Sequence, residues 1–334
     1  TAFSDYVAGH AKECFDFADV KGQYQAKRAL QIAAAERPNI LFICSPSEGK
    51  TMLAQRLPSI MPAMTFDEVL QTSKIYSISG KLGKQALIID RPFRAPHHTI
   101  SQAGLVWGGT FPQPGEISLA HNGILFLDEL TEFRRSILEV LRQPLKSKYV
   151  CITRSQQSIS FPASFILIAA LNPCPCGHWG DKKRACHCNS LQVRKYLEKL
   201  SGPLLDRIDL QVQVQSVEYD TIKTTAKSVS SHSMFVCVQK AVIAQRARFG
   251  HDNTWNAHMT SDLVEKYCVL SSEAENVMKQ AFDALHSSMR GYHKILKVAR
   301  TIADLESSSI IQVGHIQEAI MYRSLDQFLE TYRK

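Results

Sequence analysis

The stretch that decides the fold reads Asn39-Ile-Leu-Phe-Ile-Cys-Ser-Pro-Ser-Glu-Gly-Lys-Thr51. An apolar run of strand type comes first, and a turn-prone loop then leads into helix formers at 52–57. In such an arrangement the backbone N–H groups near Gly49 face a phosphate, Lys50 reaches the β- and γ-oxygens, and Thr51 binds Mg²⁺. The stretch therefore predicts a phosphate-binding loop between a strand and a helix.

This loop departs from the strict phosphate-binding pattern at three positions. Cys44 stands where the pattern has glycine, and Ser47 and Glu48 stand where an uncharged, flexible loop is usual. A side chain at Cys44 opposes the backbone conformation that glycine supplies, and Glu48 brings negative charge near phosphates. We therefore expect weaker nucleotide binding. Taken by itself, Gly-Lys-Thr is also explained by an accidental turn.

A second apolar strand at 124–127 ends in two carboxylates, Asp128 and Glu129. In nucleotide hydrolases the first carboxylate holds Mg²⁺ through water and the second polarises the attacking water. Such a pair is also typical of a helix N-cap. Because it follows the Gly-Lys-Thr loop in the order and spacing of a hydrolase, the two motifs together favour ATP hydrolysis.

Three apolar strands separated by helices predict a parallel sheet covered on both faces, an α/β class. The strands lie at 39–44, 123–128 and 164–171, and the helices at 24–36 and 133–141. After about residue 215, helical periodicity is found at 234–248, 261–268, 272–286, 293–306 and 314–332. We therefore expect an α/β core at 1–212 and a smaller all-α domain at 213–334. Within the core, 83–122 is predicted to be an irregular insertion and 149–161 a hairpin.

Composition excludes several classes of protein. The chain has 334 residues, 45% hydrophobic and 21% charged, so it is not collagenous, disordered or a coiled coil. No apolar run approaches the roughly 20 residues of a membrane-spanning helix, and the N-terminus lacks the pattern of a secretory signal. We expect a cytoplasmic protein without a membrane partner, and a first residue other than Met favours a piece of a longer chain. The net charge of +8 is compatible with a nucleic-acid partner and with an ordinary basic surface.

Four of the nine cysteines fall close together, and they are Cys174, Cys176, Cys186 and Cys188. In a cytoplasmic chain such clustering is typical of metal ligation rather than disulfides. Four thiolates complete a tetrahedral structural zinc site with no open position for catalysis. Reduced thiols without metal are the alternative. The pair His97-His98 has no third ligand nearby, which favours polar packing over a second metal site.

Eight motifs extend over nearly the whole chain. Two of them read Arg91-Pro-Phe-Arg-Ala-Pro-His-His-Thr99 and Ser201-Gly-Pro-Leu-Leu-Asp-Arg-Ile-Asp209, and the others lie at 16–23, 49–54, 111–122, 127–130, 172–177 and 300–305. Together they resemble the ComM (YifB-like) competence-protein family, a magnesium-chelatase-like group of AAA+ ATPases. The resemblance implies a three-layer AAA+ core with a parallel sheet and inserted hairpins, a helical lid domain, and ATP with Mg²⁺ as cofactors. Members of that family usually carry a Lon-protease-like N-terminal domain, which this sequence does not include.

The resemblance also implies roles for single residues. Asn172 matches sensor 1, whose amide orients water against the γ-phosphate, and Arg207 resembles an arginine finger directed at a neighbouring subunit's nucleotide. Arg290 resembles sensor 2, a lid residue that reports nucleotide state. The residues implied around the nucleotide are Asp19, Val20 and Gln23 at the adenine and Ser47, Glu48, Gly49, Lys50, Thr51 and Met52 at the phosphates.

Without the family, each of these residues has an ordinary explanation. Asn172 is a turn residue before Pro173, Arg207 is a surface ion pair, and residues 19–23 are a turn before a helix.

The order of elements resembles AAA+ motors in which a hairpin projects into the central pore of a ring. There Arg154, with Lys146 and Lys148, would contact DNA phosphates without regard to sequence. A solvated surface hairpin is the alternative.

The leading hypothesis is a hexameric ATPase that translocates DNA and drives branch migration of recombination intermediates during natural transformation. One alternative is a magnesium-chelatase-type ATPase that remodels a protein partner. Another is a nucleotide-binding subunit whose altered phosphate loop has lost turnover.

Overall fold

The computed structural model describes residues 15–45, 49–83, 86–108, 113–154, 157–179, 184–214, 228–250, 254–284 and 288–323. The chain forms two compact units, neither of them continuous in sequence. The first comprises Thr1–Phe15, Cys44–Pro58 and Ala63–Arg207, and the second Asp16–Ile43, Ser59–Pro62 and Ile208–Lys334. The domain boundary expected after residue 212 stays a prediction.

Helices and strands are numbered along the chain. The first unit contains α2 (Lys50–Arg56), α3 (Phe66–Ile78), β2 (Phe93–Arg94), α4 (Gln102–Val106), β3 (Trp107–Gly108), β4 (Gln113–Pro114), α5 (Glu116–Leu119), β5 (Ile124–Leu127), α6 (Arg135–Val140), α7 (Arg142–Ser147), β6 (Tyr149–Arg154), β7 (Gln157–Pro162), β8 (Ile166–Leu171), α8 (Ser190–Leu197) and α9 (Gly202–Leu205). The second unit contains α1 (Tyr24–Glu36), β1 (Ile40–Cys44, whose last residue belongs to the first unit), β9 (Leu210–Val214), α10 (Ser231–Phe249), α11 (Ser261–Tyr267), α12 (Ser272–Ala284), α13 (Met289–Leu305) and α14 (Val313–Met321).

Three parallel strands organise the first unit. β5 pairs with β2 on one side and with β8 on the other, in a register that places Ile124 beside Phe93 and Ile166. Every residue of β5 and β8 is buried, which explains why both strands read as continuous apolar runs. Because the strands are parallel, the chain leaves β5 and β8 at the same edge of the sheet.

A glycine permits the close approach at the start of β5. A Cβ atom at Gly123 would lie 2.0 Å from the carbonyl oxygen of Pro92, the same oxygen that accepts the N–H of Ile124 at 2.8 Å. Any side chain at this position would therefore separate β2 from β5.

The predicted hairpin is present in the first unit. β6 and β7 pair antiparallel, with Tyr149 opposite Pro162 at the base of the hairpin and Arg154 opposite Gln157 at its tip. A separate short pair, β3 with β4, lies between β2 and β5 in sequence.

In the second unit, α1 packs against β9, α10 and α13, and β1 and β9 are neighbours in a sheet. A buried polar network joins the helices. Asp304 accepts hydrogen bonds from Arg248 at 2.6 and 2.8 Å, from Arg300 at 3.1 Å and from Asn256 at 2.9 Å. The charges of Arg248, Arg300 and Asp304 are therefore paired with one another, which offsets the cost of removing them from water.

The predicted α/β class, with a helical C-terminal part, is confirmed. The segment 83–122 is less irregular than expected, because it contributes β2 to the main sheet and a short helix, α5, before β5. Two elements were not predicted from the sequence: α3, which begins with a capping box between Thr65 and Glu68, and β9. The helix predicted at 314–332 ends at Met321, and its last part lies outside the described residues.

Among the helices that the structure describes, none combines the length and the apolar character needed to cross a membrane.

Candidate functional site

The Gly-Lys-Thr motif forms the start of α2. Gly49 has a φ of +71°, in the left-handed region, and its carbonyl oxygen accepts the N–H of Leu53 at 3.0 Å. A side chain there would be strained, because L-residues rarely adopt this conformation. Lys50 is the first helical residue and is 7% exposed, so its position is set by the fold rather than by solvent.

Cys44 does not present the predicted backbone conflict. It ends β1 as a buried strand residue, and it is not among the residues with positive φ. Extended backbone is open to any L-residue. The expectation that a side chain at Cys44 opposes the local conformation is therefore wrong. The other two departures, Ser47 and Glu48, lie outside the described residues.

Three predicted site residues meet at one point in the first unit. Nζ of Lys50 lies 3.6 Å from Oδ1 of Asp128 and 3.5 Å from Oδ1 of Asn172. Asp128 directly follows β5 and Asn172 directly follows β8, so the parallel pairing of these strands places both oxygens at the same sheet edge. The result is a buried ammonium group facing one carboxylate and one amide.

Glu129 occupies a strained position beside this group. Its φ and ψ are both 51°, a left-handed conformation that costs a non-glycine residue roughly 1–3 kcal/mol. Its N–H donates to Oδ1 of Asp128 at 2.9 Å, and its carbonyl oxygen accepts the N–H of Glu132 at 2.8 Å. The side chain is 52% exposed, which leaves the carboxylate accessible to water.

His98 contacts Glu129, a contact that was not predicted from the sequence. Nδ1 of His98 lies 3.5 Å from Oε2 of Glu129. The ring centroid of His98 lies 4.0 Å from that of His97 and 6.4 Å from that of Phe133, which it meets edge to face. The polar packing around the two histidines thus includes the carboxylate of Glu129. The only signal in the sequence was the histidine pair itself.

Two buried or half-buried arginines hold the segment that carries His98. Arg91 donates to the carbonyl oxygen of Asn122 at 2.8 Å and pairs with Glu68 at 3.1 Å. Arg94 binds both carboxylate oxygens of Glu116, at 2.6 and 2.7 Å. Hydrogen bonding with Glu116 raises the pKa of Arg94. The arginines of residues 91–99 therefore hold β2 and the residues just before it in place.

The remaining predicted nucleotide residues are spread over both units. Thr51 and Met52 lie on the exposed first turn of α2, and Arg207 follows α9, where its N–H donates to the carbonyl oxygen of Leu204 at 2.9 Å. Arg290 belongs to the second unit, exposed in the first turn of α13. These assignments stay predictions.

The residues predicted at the adenine also belong to the second unit. Asp19 is exposed, Val20 is buried, and Gln23 caps α1 in a left-handed conformation. The carbonyl oxygen of Val20 accepts a hydrogen bond from the buried Lys27 at 2.5 Å. Their role at a nucleotide stays a prediction.

The four clustered cysteines do come together. Sγ of Cys174 lies 3.3 Å from that of Cys176 and 3.7 Å from that of Cys186, and Cys176 and Cys186 are 3.6 Å apart. The sulfur of Cys188 completes the group, and all four sulfurs lie within 4.8 Å of one another. A tetrahedral zinc ion with Zn–S bonds of about 2.3 Å sets its sulfurs about 3.8 Å apart, so the donor set fits that ion.

The surroundings of the sulfurs favour metal binding at Cys176. Backbone N–H donation from His178 lowers the pKa of Cys176 to about 6, whereas burial raises the pKa of Cys174 to about 12. Thiolates are the form that binds metal. The lowered pKa of Cys176 therefore favours its thiolate form, and binding of a cation would favour ionisation of the other three thiols.

The hairpin and α7, the helix just before it, present polar and aromatic groups to solvent. Lys146 is exposed at the end of α7, and Tyr149 at the base of β6 is 52% exposed. Arg154 is the last residue of β6, paired with Gln157, and its side chain lies outside the described residues. Contact with DNA stays a prediction.

Comparison with known proteins gives the family. The family described as magnesium chelatase, subunit ChlI, matches residues 16–222, and its C-terminal family matches 228–323. The chain is 43% identical over 321 residues to the competence protein ComM of Haemophilus influenzae, covering 96% of this chain and 62% of that protein. It is 41% identical over 315 residues to the uncharacterized protein YifB of Escherichia coli, covering 94% of this chain and 61% of that protein.

A third relative, an uncharacterized protein of Mycobacterium tuberculosis, is 39% identical over 311 residues, which cover 92% of this chain and 61% of that protein. The chain thus spans about three fifths of the length of these relatives. Because the matches extend across both the strand-rich part and the helical C-terminal part, the chain belongs to the magnesium-chelatase-like family of AAA+ proteins.

Proposed function

We propose that this chain is the motor module of an ATPase that moves DNA. The observation that carries the proposal is the meeting of Lys50 with Asp128 and Asn172, with Glu129 beside them. A buried ammonium, two carboxylates and an amide at one sheet edge are the groups that phosphoryl transfer to water requires. The family match supports the same chemistry.

Each residue takes a role that its position allows. Lys50 binds the β- and γ-phosphate oxygens, and Asp128 and Thr51 hold Mg²⁺, a cation that prefers oxygen ligands. Glu129 removes a proton from the attacking water, and Asn172 orients that water. When bound, Mg²⁺ neutralises charge that develops on the phosphate oxygens.

DNA as the partner is supported by two observations. One relative is named a competence protein, and Lys146 is exposed at the end of α7, just before the hairpin, on a chain with a net charge of +8. We propose that the tip of the hairpin, with Arg154, contacts the phosphates of a single-stranded or branched DNA during uptake of foreign DNA. Self-association into a ring would give Arg207 and Arg290 access to nucleotide, with Asp19, Val20 and Gln23 at the adenine.

The test is ATP turnover with and without DNA. We expect phosphate release by the purified chain to rise when single-stranded DNA is added. Arg154→Ala should weaken DNA binding and reduce the slope of log affinity against log salt by about 0.7, the value for one phosphate contact on a single strand. Turnover without DNA should not change, since Arg154 lies on the hairpin and outside the group around Lys50.

Lys74→Ala is the matched control, because Lys74 is an exposed cation on α3 of the same unit. It should leave both DNA affinity and salt dependence unchanged. An Arg154→Ala variant that binds DNA normally contradicts the hairpin contact. Turnover that DNA never stimulates points to a protein-remodelling ATPase, and ATP binding without turnover points to a nucleotide-binding subunit that has lost hydrolysis.

We further propose that Cys174, Cys176, Cys186 and Cys188 bind one structural zinc ion. The sulfur separations support it, and the fully thiol donor set leaves no open position for catalysis. Metal analysis after mild purification should return about one zinc per chain, and Cys176→Ser should lower that content to well below one.

The control for the zinc site is Cys151→Ser, because Cys151 is an exposed thiol on the hairpin, outside the cluster. Its zinc content should equal that of the unchanged chain. An unchanged chain with far less than one zinc per molecule, while the four thiols react fully with a thiol reagent, would rule the site out.

A further inference from the structure

Tyr196 lies in the last turn of α8, where its side chain is only 9% exposed. Its hydroxyl oxygen accepts a hydrogen bond from Oγ1 of Thr131 at 2.8 Å, and that bond is buried. Thr131 is the middle residue of the turn Leu130–Glu132, which begins directly after Glu129. The hydroxyl therefore holds the turn that carries the proposed general base.

The same hydroxyl also interacts with Asn172, which directly follows β8. Burial raises the pKa of Tyr196, while hydrogen bonds from Thr131 and from the backbone of Asn172 lower it. A backbone group lowers the pKa of a phenol when its N–H donates to the oxygen. One oxygen atom thus joins the segment after β5 to the segment after β8.

These two segments need such a link. β5 ends at Leu127 and β8 ends at Leu171, so the residues that follow lie outside both strands, and Glu129 has a strained left-handed backbone. Strained conformations persist only where surrounding contacts determine them. In this part of the first unit, the contacts of Tyr196 reach both segments.

We propose that Tyr196 is a positioning residue for ATP hydrolysis, and that its hydroxyl sets the distance between Glu129 and Asn172. The inference rests on the function proposed above, in which the first residue activates water and the second orients it. Displacement of a catalytic group by about 1 Å is enough to slow a reaction by up to about 100-fold. Nζ of Lys50 contacts the side chains of Asp128 and Asn172 rather than this hydroxyl, so we expect nucleotide binding to change less than the rate of hydrolysis.

Tyr196→Phe removes only the hydroxyl. We expect kcat for ATP to fall about tenfold, with KM changed less than twofold, because the phosphate-binding residues stay in place. Tyr76→Phe is the matched control, since the hydroxyl of Tyr76 donates to the carbonyl oxygen of Leu119 at 3.0 Å within the same unit. This control should keep kcat within about twofold.

Thr131→Val tests the same hydrogen bond from its other end. If both residues act through this bond, the double variant Thr131→Val/Tyr196→Phe should be no slower than Tyr196→Phe alone. Multiplied losses in the double variant would show that the residues act separately, which contradicts the proposal.

Amide hydrogen exchange gives a readout that does not need turnover. In Tyr196→Phe, exchange should become faster in peptides that contain residues 129–132 and Asn172, and it should stay unchanged there in Tyr76→Phe. If the unchanged chain does not hydrolyse ATP, the proposed function fails, whereas the exchange result still shows whether the link exists. Normal exchange together with normal kcat in Tyr196→Phe overturns the inference.

Discussion

Glu129→Gln is expected to lower ATP turnover by at least about 100-fold while ATP still binds. The glutamine keeps the size of the side chain and a hydrogen-bonding oxygen, but it cannot take a proton from the attacking water. General-base catalysis contributes about 10² to 10⁴ in rate, and none of that remains in the variant. Lys50 still meets Asp128 and Asn172, so the phosphate-binding group is preserved. Steady-state phosphate release and equilibrium ATP binding measure the two effects separately.

Glu132→Gln is a close control for this prediction. Its side chain is 51% exposed against 52% for Glu129, it lies on the turn that follows Glu129, and it forms an exposed ion pair with Lys199 at 3.8 Å. Such a pair contributes little to stability, so this variant should hydrolyse ATP normally. Equal losses in both variants, or loss of ATP binding in Glu129→Gln, would show that Glu129 maintains structure and is not the base.

The group around Lys50 could be predicted from sequence because its members are placed by strands. Asp128 and Asn172 each follow a fully buried apolar run, and parallel pairing brings the ends of such runs together. The prediction of a backbone conflict at Cys44 is wrong, because the chain there is still extended and any residue can adopt that conformation.

His98 and Tyr196 could not be found in the same way. Their contacts with Glu129 and Thr131 join residues that are distant in sequence, and no periodicity marks them. β2 escaped detection for a related reason, since a strand of two residues is too short to show a pattern and is held by the side chains of Arg91, which precedes it, and Arg94, which belongs to it. What sequence patterns miss here are polar contacts between loops, which depend on the completed fold.

A buried carboxyl group in the second unit gives a prediction about stability. Glu36 is 1% exposed, and it accepts a hydrogen bond from the hydroxyl of Thr301. Burial raises its pKa from 4.5 to about 8; Asp209 and Asp304 act in the same direction, and Lys297 acts against it. The folded chain therefore keeps this proton at pH values where the unfolded chain has released it.

The sign follows from that difference. Because the raised pKa belongs to the folded state, the stabilising contribution is complete below about pH 4.5 and is lost as pH rises toward about 8. Within that window the loss is about 1.4 kcal/mol per pH unit, or roughly 5 kcal/mol in total. Lys294 and Lys297, whose pKa values are lowered by burial, make a contribution of opposite sign as they lose protons.

Glu36→Gln should remove the carboxyl contribution alone. The amide oxygen still accepts the hydrogen bond from Thr301, and the side chain no longer ionises, so the variant should gain stability relative to the unchanged chain as pH rises from 6 to 8.5. Urea unfolding at several pH values measures this difference. Glu273→Gln, at an exposed position on α12, is the control and should follow the unchanged chain at every pH. A stability difference between Glu36→Gln and the unchanged chain that does not vary between pH 6 and 8.5 would show that Glu36 is already ionised in the folded state.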